Sequence, residues 1–248
     1  MMRDLGRRLT LVTALVLTAS GCFRLARTSP PVQRYVLGGG RLPVGPTAPD
    51  SNGLTLGLRR LDLAPYLSTL AIVVRRSDNE IVTSGFHRWA EGPSAGLNRA
   101  LSGYLAASPG VRSVDVAPWP IRSDHAYLVQ IHVARLEGVV GAESGARRGE
   151  AHLLARWEIL RARDGAMLAR GETDHRAPGW VVDDYAGLVA RIDQGLIVLT
   201  QELLACVARL GLERPGDAGT VEGELPVAID CVQRAPRGPT PSSLPPRG

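Results

Sequence analysis

The chain has 248 residues, 44% of them hydrophobic, and a formal net charge of +5. So mild an excess, without an arginine-rich run or interleaved aromatics, gives no case for nucleic acid, and the complete absence of lysine excludes Schiff-base chemistry on that side chain. The length suits one domain with a sizeable core and some loose ends.

Residues 1–21 have the build of a secretory signal. Arg3, Arg7 and Arg8 form the positive start, Leu9 to Leu17 the apolar run, and Ala19-Ser20-Gly21 the small residues that a peptidase needs. The apolar run is shorter than the roughly 20 residues that span a bilayer. Its ending on Cys22 resembles the bacterial lipobox, which implies a covalent lipid on the Cys22 sulfur; an ordinary secreted protein with an unmodified Cys22 is the alternative. Losing the signal lowers the formal charge to +3. Phe23 and Arg24 follow with no aspartate, which under the enteric sorting rule implies the outer membrane, with the periplasmic face of the inner membrane as the alternative. Residues 22–33 read as a lipidated tether, so the expected membrane contact is through lipid alone.

The folded domain is expected over 34–211. Arg34 to Leu37 is a strand candidate, and the glycine- and proline-rich 38–53 reads as a loop. Leu54, Leu56 and Leu58 alternate with Thr55, Gly57 and Arg59 as in a half-buried strand. Ser77-Asp78-Asn79 joins 71–75 and 80–84 in a predicted hairpin. The block Phe86 to Glu91 then leads towards a helix over about 94–107, whose Leu97, Ala100, Leu101, Tyr104 and Leu105 share one face. A strand over 111–116 follows.

Tyr127, Val129, Ile131 and Val133 alternate with polar neighbours, as do Ala151, Leu153, Ala155, Trp157 and Ile159, which predicts a sheet covered on one side. Asp164-Gly165 signals a further hairpin to 167–172. Leu188, Ile192, Leu196, Leu199, Leu203, Cys206 and Leu210 form the stripe of a long helix over 184–210. The fold class is therefore α+β: a single domain, mainly antiparallel sheet, with a mid-chain helix and a long C-terminal helix packed on one face. In the tail, 212–248, a segment at 225–232 is a candidate to dock, whereas 234–248 holds five prolines and reads as disordered. Cys206 and Cys231 are candidates for a disulfide in an oxidising compartment; the competing reading packs Cys206 as a small hydrophobe.

Gly92-Pro93-Ser94-Ala95-Gly96 matches a nucleophile-elbow pattern, with Asp164 or Asp174 and then His175 in hydrolase order. The preceding stretch carries His87, Arg88 and Glu91 where a hydrolase needs a buried apolar strand, and Ser94 suits a helix cap or first turn. No catalytic residue is assigned. The five histidines, His87, His125, His132, His152 and His175, show no metal-ligand spacing, and His132 and His152 are placed on the polar sheet face.

Arg34-Tyr35-Val36-Leu37, Pro65-Tyr66-Leu67, Ile72-Val73-Val74-Arg75, Asn79, Phe86-His87-Arg88-Trp89-Ala90-Glu91 and the late Ala155-Arg156-Trp157 strand together resemble the ABC-type transport auxiliary lipoprotein family. The resemblance covers about 35–210. It implies a lipid-anchored, non-catalytic accessory subunit with no cofactor beyond the lipid at Cys22, working with an ABC permease and ATPase and an MCE-type substrate-binding protein in lipid transport. Self-association is left open. A free-standing periplasmic lipoprotein that binds another protein is the alternative. Two roles are open for Arg88, Trp89 and Glu91. In one, Trp89 packs the hairpin on the first helix while Arg88 and Glu91 pair; in the other, Trp89 and Arg88 anchor a partner. Tyr66 and Trp119 invite the same two readings.

Overall fold

The computed structural model describes residues 29–39, 53–119, 123–141, 145–212 and 228–231. The signal, Cys22 and the tail beyond 231 lie outside the described residues. The elements are β1 (Gln33–Tyr35), β2 (Leu54–Leu58), β3 (Asp62–Leu63), a 3-10 turn (Pro65–Leu67), β4 (Ala71–Ser77), β5 (Glu80–Trp89) and α1 (Pro93–Ala106). They continue with β6 (Val111–Val116), β7 (Tyr127–Val140), β8 (Arg148–Arg161), β9 (Met167–Val181), α2 (Tyr185–Leu212) and β10 (Ile229–Asp230).

The frame is the antiparallel meander of β7, β8 and β9, the longest strands of a ten-stranded sheet. Along its other edge β7 is met in turn by β2 (Leu56↔Tyr127), β3 (Asp62↔His132) and β4 (Val74↔Gly138), all parallel to it. β2 carries β6, and β4 carries β5 and then β1. At the far edge β10 pairs with β9. The long ladders are thus antiparallel and the parallel pairings are shorter, because each parallel neighbour is a short strand that runs beside only part of a longer one.

Both helices cover the same face. On α2, Leu188, Ile192, Leu196, Leu199, Leu203 and Cys206 are buried, and they meet Ala151, Leu153, Ala155, Trp157 and Ile159 in one core. Gly195 brings the helix close: a Cβ there would stand 3.2 Å from Leu153 and His175. α1 packs on β6 and α2 through Leu97, Leu101, Tyr104 and Leu105. Two indoles occupy spaces that glycines leave in the sheet. Trp157 lies against its register partner Gly171, where a Cβ would overlap the ring, and Trp180 lies over Gly138, where a Cβ would be 2.7 Å away.

The structure departs from the predictions in three elements. β7 continues to Val140 because a bulge between Val133 and Arg135 shifts the alternation, so that Leu136 and Gly138 face the helices where odd-numbered residues did before. β5 runs past the predicted end of the hairpin at Ser84 to Trp89, just before α1: Val73 pairs with Thr83 but Ala71 with Arg88, so Ser84 to His87 bulge outwards, and Ser84 Oγ accepts from the His87 N–H at 3.0 Å. The predicted outward side of β2 is also buried, since His125 and Leu128 lie over Gly57.

Candidate functional site

The Phe86–Glu91 block ends β5 beside β1, with Gln33↔His87, Arg34↔Arg88 and Tyr35↔Trp89 in register. Alternation turns Trp89 inward. It is 5% exposed and belongs to the core, sharing a small gap with Tyr35, Leu37, Pro93 and Gly96. This corrects the reading of Trp89 as a partner anchor: it joins the sheet to the start of α1.

The expected Arg88–Glu91 pair is not formed. Glu91 instead meets Arg99 of α1 at 2.6 Å, and the same guanidinium donates to the Leu37 carbonyl at 2.9 Å. The reason is geometric, since strand alternation puts Arg88 on the outer face while Arg99 sits two turns into α1, above the loop that carries Glu91. Arg88 is exposed and has no side-chain partner among the described residues, next to an exposed Arg34.

His87 connects this block to α2. Its ring stacks on Tyr185 with centroids 4.1 Å apart and 11° between planes, and the Tyr35 hydroxyl lies 2.9 Å from its Nδ1. Nearby, the Gly38 N–H donates to the buried Asp193 carboxylate of α2 at 2.8 Å. Gly38 has φ 71° and a Cβ there would come within 3.0 Å of Ala100, so the chain passes over α1 only with glycine at this point. Burial, with Asp193 next, pushes the Tyr104 hydroxyl up to about 12.

Tyr66 belongs to a different cluster, on the sheet face away from the helices. Its one hydroxyl proton is shared between the Ala134 carbonyl at 3.0 Å and Glu137 at 3.1 Å. Glu137 has no exposed surface, and Arg75 donates to it from Nε at 2.6 Å and Nη2 at 3.2 Å, with Arg135 at 3.4 Å. Burial, then the Glu137 charge, raises the Tyr66 pKa above its ordinary value. Sequence reasoning missed this carboxylate. The available signal was a lone glutamate in the apolar run Leu136 to Val140.

The rest of that face is laced by contacts between β8 and β9: the ion pairs Glu150–Arg176 at 2.8 Å and Arg156–Glu172 at 2.8 Å, and a His152–Asp174 hydrogen bond at 2.7 Å. His152 is 1% exposed and its Nδ1 has no hydrogen-bond partner among the described residues. Burial lowers its pKa, against the opposing pull of Asp174. His132 lies on the same face, 2.8 Å from Asp62.

Trp119 is half-buried; its Nε1 donates to the Asp115 carbonyl at 3.1 Å and its ring meets His125 edge-on at 5.2 Å. Cys206 and Cys231 form a disulfide, with Cα atoms 5.9 Å apart, which holds the end of β10 to α2. Ser94 is a first-turn residue of α1, capped by Gly92, and its hydroxyl donates to the Leu61 carbonyl at 3.1 Å. Asp164 lies in the β8–β9 turn, paired with Arg161, Asp174 is held by His152 and His175 packs beneath Gly195, so the residues of the hydrolase pattern serve separate structural ends. Among the described residues, no three His, Cys, Asp or Glu side chains gather as a metal site, and no helix is long and apolar enough to cross a membrane.

A family model described as "ABC-type transport auxiliary lipoprotein component" matches residues 35–203, from β1 into α2. The crystal structure of a protein from Xanthomonas campestris is similar over 74% of this chain and 96% of that one, at 18% identity and a TM-score of 0.54. The crystal structure of an uncharacterized protein is similar over 62% of this chain and 92% of that one, at 18% identity and a TM-score of 0.50. These likenesses establish the fold. No curated protein matches the chain.

Proposed function

The chain belongs to the family of ABC-type transport auxiliary lipoprotein components, and we propose that it is the lipid-anchored, non-catalytic accessory subunit of an ABC-type envelope system that moves lipid together with an MCE-type protein. The observation that carries this reading is the family match from Tyr35 to Leu203, which takes in β2 to β9 and most of α2. The signal-like residues 1–21 ending on Cys22 support an anchor of two or more acyl chains, which hold a protein stably at a membrane. The absence of aspartate after Cys22 favours the outer membrane, with the domain facing the periplasm.

In this reading the exposed Arg88, beside Arg34, and the exposed Phe86 are the members of the Phe86–Glu91 block that meet a partner. Tyr66, Glu91 and Trp119 are further candidates for partner contact, since each retains some exposure while its polar group is held internally. Crosslinking in cells, followed by detergent extraction, affinity purification and mass spectrometry, tests the proposal. Recovery of an MCE-type protein or an ABC permease is expected. Recovery of neither, from protein shown to incorporate labelled palmitate at Cys22, would leave a free-standing lipoprotein as the better account.

A further inference from the structure

The parallel pairing of β4 with β7 stops at Arg75↔Val139. Beyond it the β4–β5 hairpin and the β7–β8 hairpin part, leaving a cleft of about 480 Å³ between them. The charged residues lining the cleft are Arg75, Arg76, Asp78, Arg148 and Glu150. Two of these are already neutralised: Arg75 is committed to the buried Glu137, and Glu150 is held by Arg176. Among the described residues, that leaves Arg76 on one wall and Arg148 on the other, both exposed and without a side-chain hydrogen bond or ion pair, facing one exposed carboxylate, Asp78.

We infer that this cleft is a binding site for a phosphate group carried by a small molecule or a lipid headgroup. Arginine is suited to the task because its planar, permanently charged fork matches a phosphate in bidentate fashion. The cleft has the volume of a small-molecule site, of the order of 300–1,000 Å³. Two arginines that make no internal bond leave the fold undisturbed when they take up an external anion. Among the described lining residues Asp78 limits the net charge to about one positive unit, so affinity depends on contact with both guanidinium groups and not on bulk field. The site belongs to the folded domain and stands independently of which transport partner the protein has.

The test is calorimetry on the full-length protein in a neutral detergent at fixed ionic strength, titrated separately with inorganic phosphate and with monomeric dihexanoyl phosphatidylglycerol. Saturable binding is expected, weakened at least about tenfold in Arg76→Gln/Arg148→Gln, since a hydrogen bond to a charged group contributes about 1.5–3 kcal/mol. Asp78→Asn should tighten it, which also serves if the double variant proves unstable. Tighter binding of the phospholipid identifies a lipid headgroup as the ligand, and equal or tighter binding of inorganic phosphate identifies the free anion. No saturable binding of either, or binding unchanged in both variants at unchanged melting temperature, would overturn the site.

Discussion

Glu137 of β7 and Arg75 of β4 meet side by side across a parallel ladder, Nε to Oε1 at 2.6 Å, and the carboxylate has no contact with solvent. Such a pair contributes little compared with apolar residues of the same volume, but breaking it strands a buried charge. Arg75→Met alone should therefore cost about 3–5 kcal/mol, and Glu137→Met a similar amount, whereas Arg75→Met/Glu137→Met should recover most of the loss. Urea unfolding of the four proteins checks this. Additive single losses would show that Tyr66 and Arg135, which also reach Glu137, carry the interaction instead.

The block that carries the family resemblance separates into an interior and an exterior residue, and the two should behave differently. Trp89→Ala removes a core indole and is expected to destabilise by about 3–5 kcal/mol. Arg88→Ala, which breaks no bond within the chain, should change stability by less than about 0.5 kcal/mol. If Arg88 faces the transport partner, its variant loses the crosslink at full stability. A crosslink that survives Arg88→Ala would move the contact elsewhere.

His152 gives the domain a pH dependence of definite sign. Its pKa is lowered from 6.5 by burial, so the folded form holds it neutral while the unfolded chain takes up a proton. Its contribution is complete above about pH 6.5 and is lost as the pH falls through the lower folded value, at a slope of at most about 1.4 kcal/mol per pH unit. Melting temperatures between pH 7.5 and 5 should fall more steeply in the wild type than in His152→Gln. Parallel curves would assign the acid sensitivity to other groups.

How much of this was legible in the chain depends on where the period of the strands held. Val129, Ile131 and Val133 announced β7, and the stripe from Leu188 to Cys206 announced α2, because burial on one face leaves its period in the sequence. The bulge between Val133 and Arg135 shifts that period, so Leu136 to Val140 no longer reads as the same strand and the buried Glu137 gives no sign of its partner. Arg75 is 62 residues away in sequence. β3 and β10 are two residues each and exist only through pairing with β7 and β9, which no local propensity encodes. The choice of Arg99 over Arg88 as the partner of Glu91 likewise depends on Arg88 taking the outer face of β5 while Arg99 sits on α1.

The other decision that tertiary structure makes is at Cys206, whose place in the apolar stripe of α2 fits a free thiol as well as a bridge. The structure joins it to Cys231, while Ile229 and Asp230 add a parallel strand at the β9 edge and the Cys231 N–H donates to the Arg170 carbonyl at 2.8 Å. The bond closes a loop with a sequence separation of 25, which on the chain-entropy model stabilises the fold by about 3 kcal/mol. For a domain of this size that corresponds to a fall of about 6–12 °C in melting temperature. Cys231→Ala is expected to show it, and wild-type protein unfolded and refolded with reductant should melt at the variant's temperature. Because Cys206 is fully buried, reductant added to the folded protein should act slowly, at the rate at which β10 and the end of α2 open. Coincident melting of the oxidised wild type and Cys231→Ala would show that the edge strand is held by its ladder and core contacts, with the disulfide adding nothing.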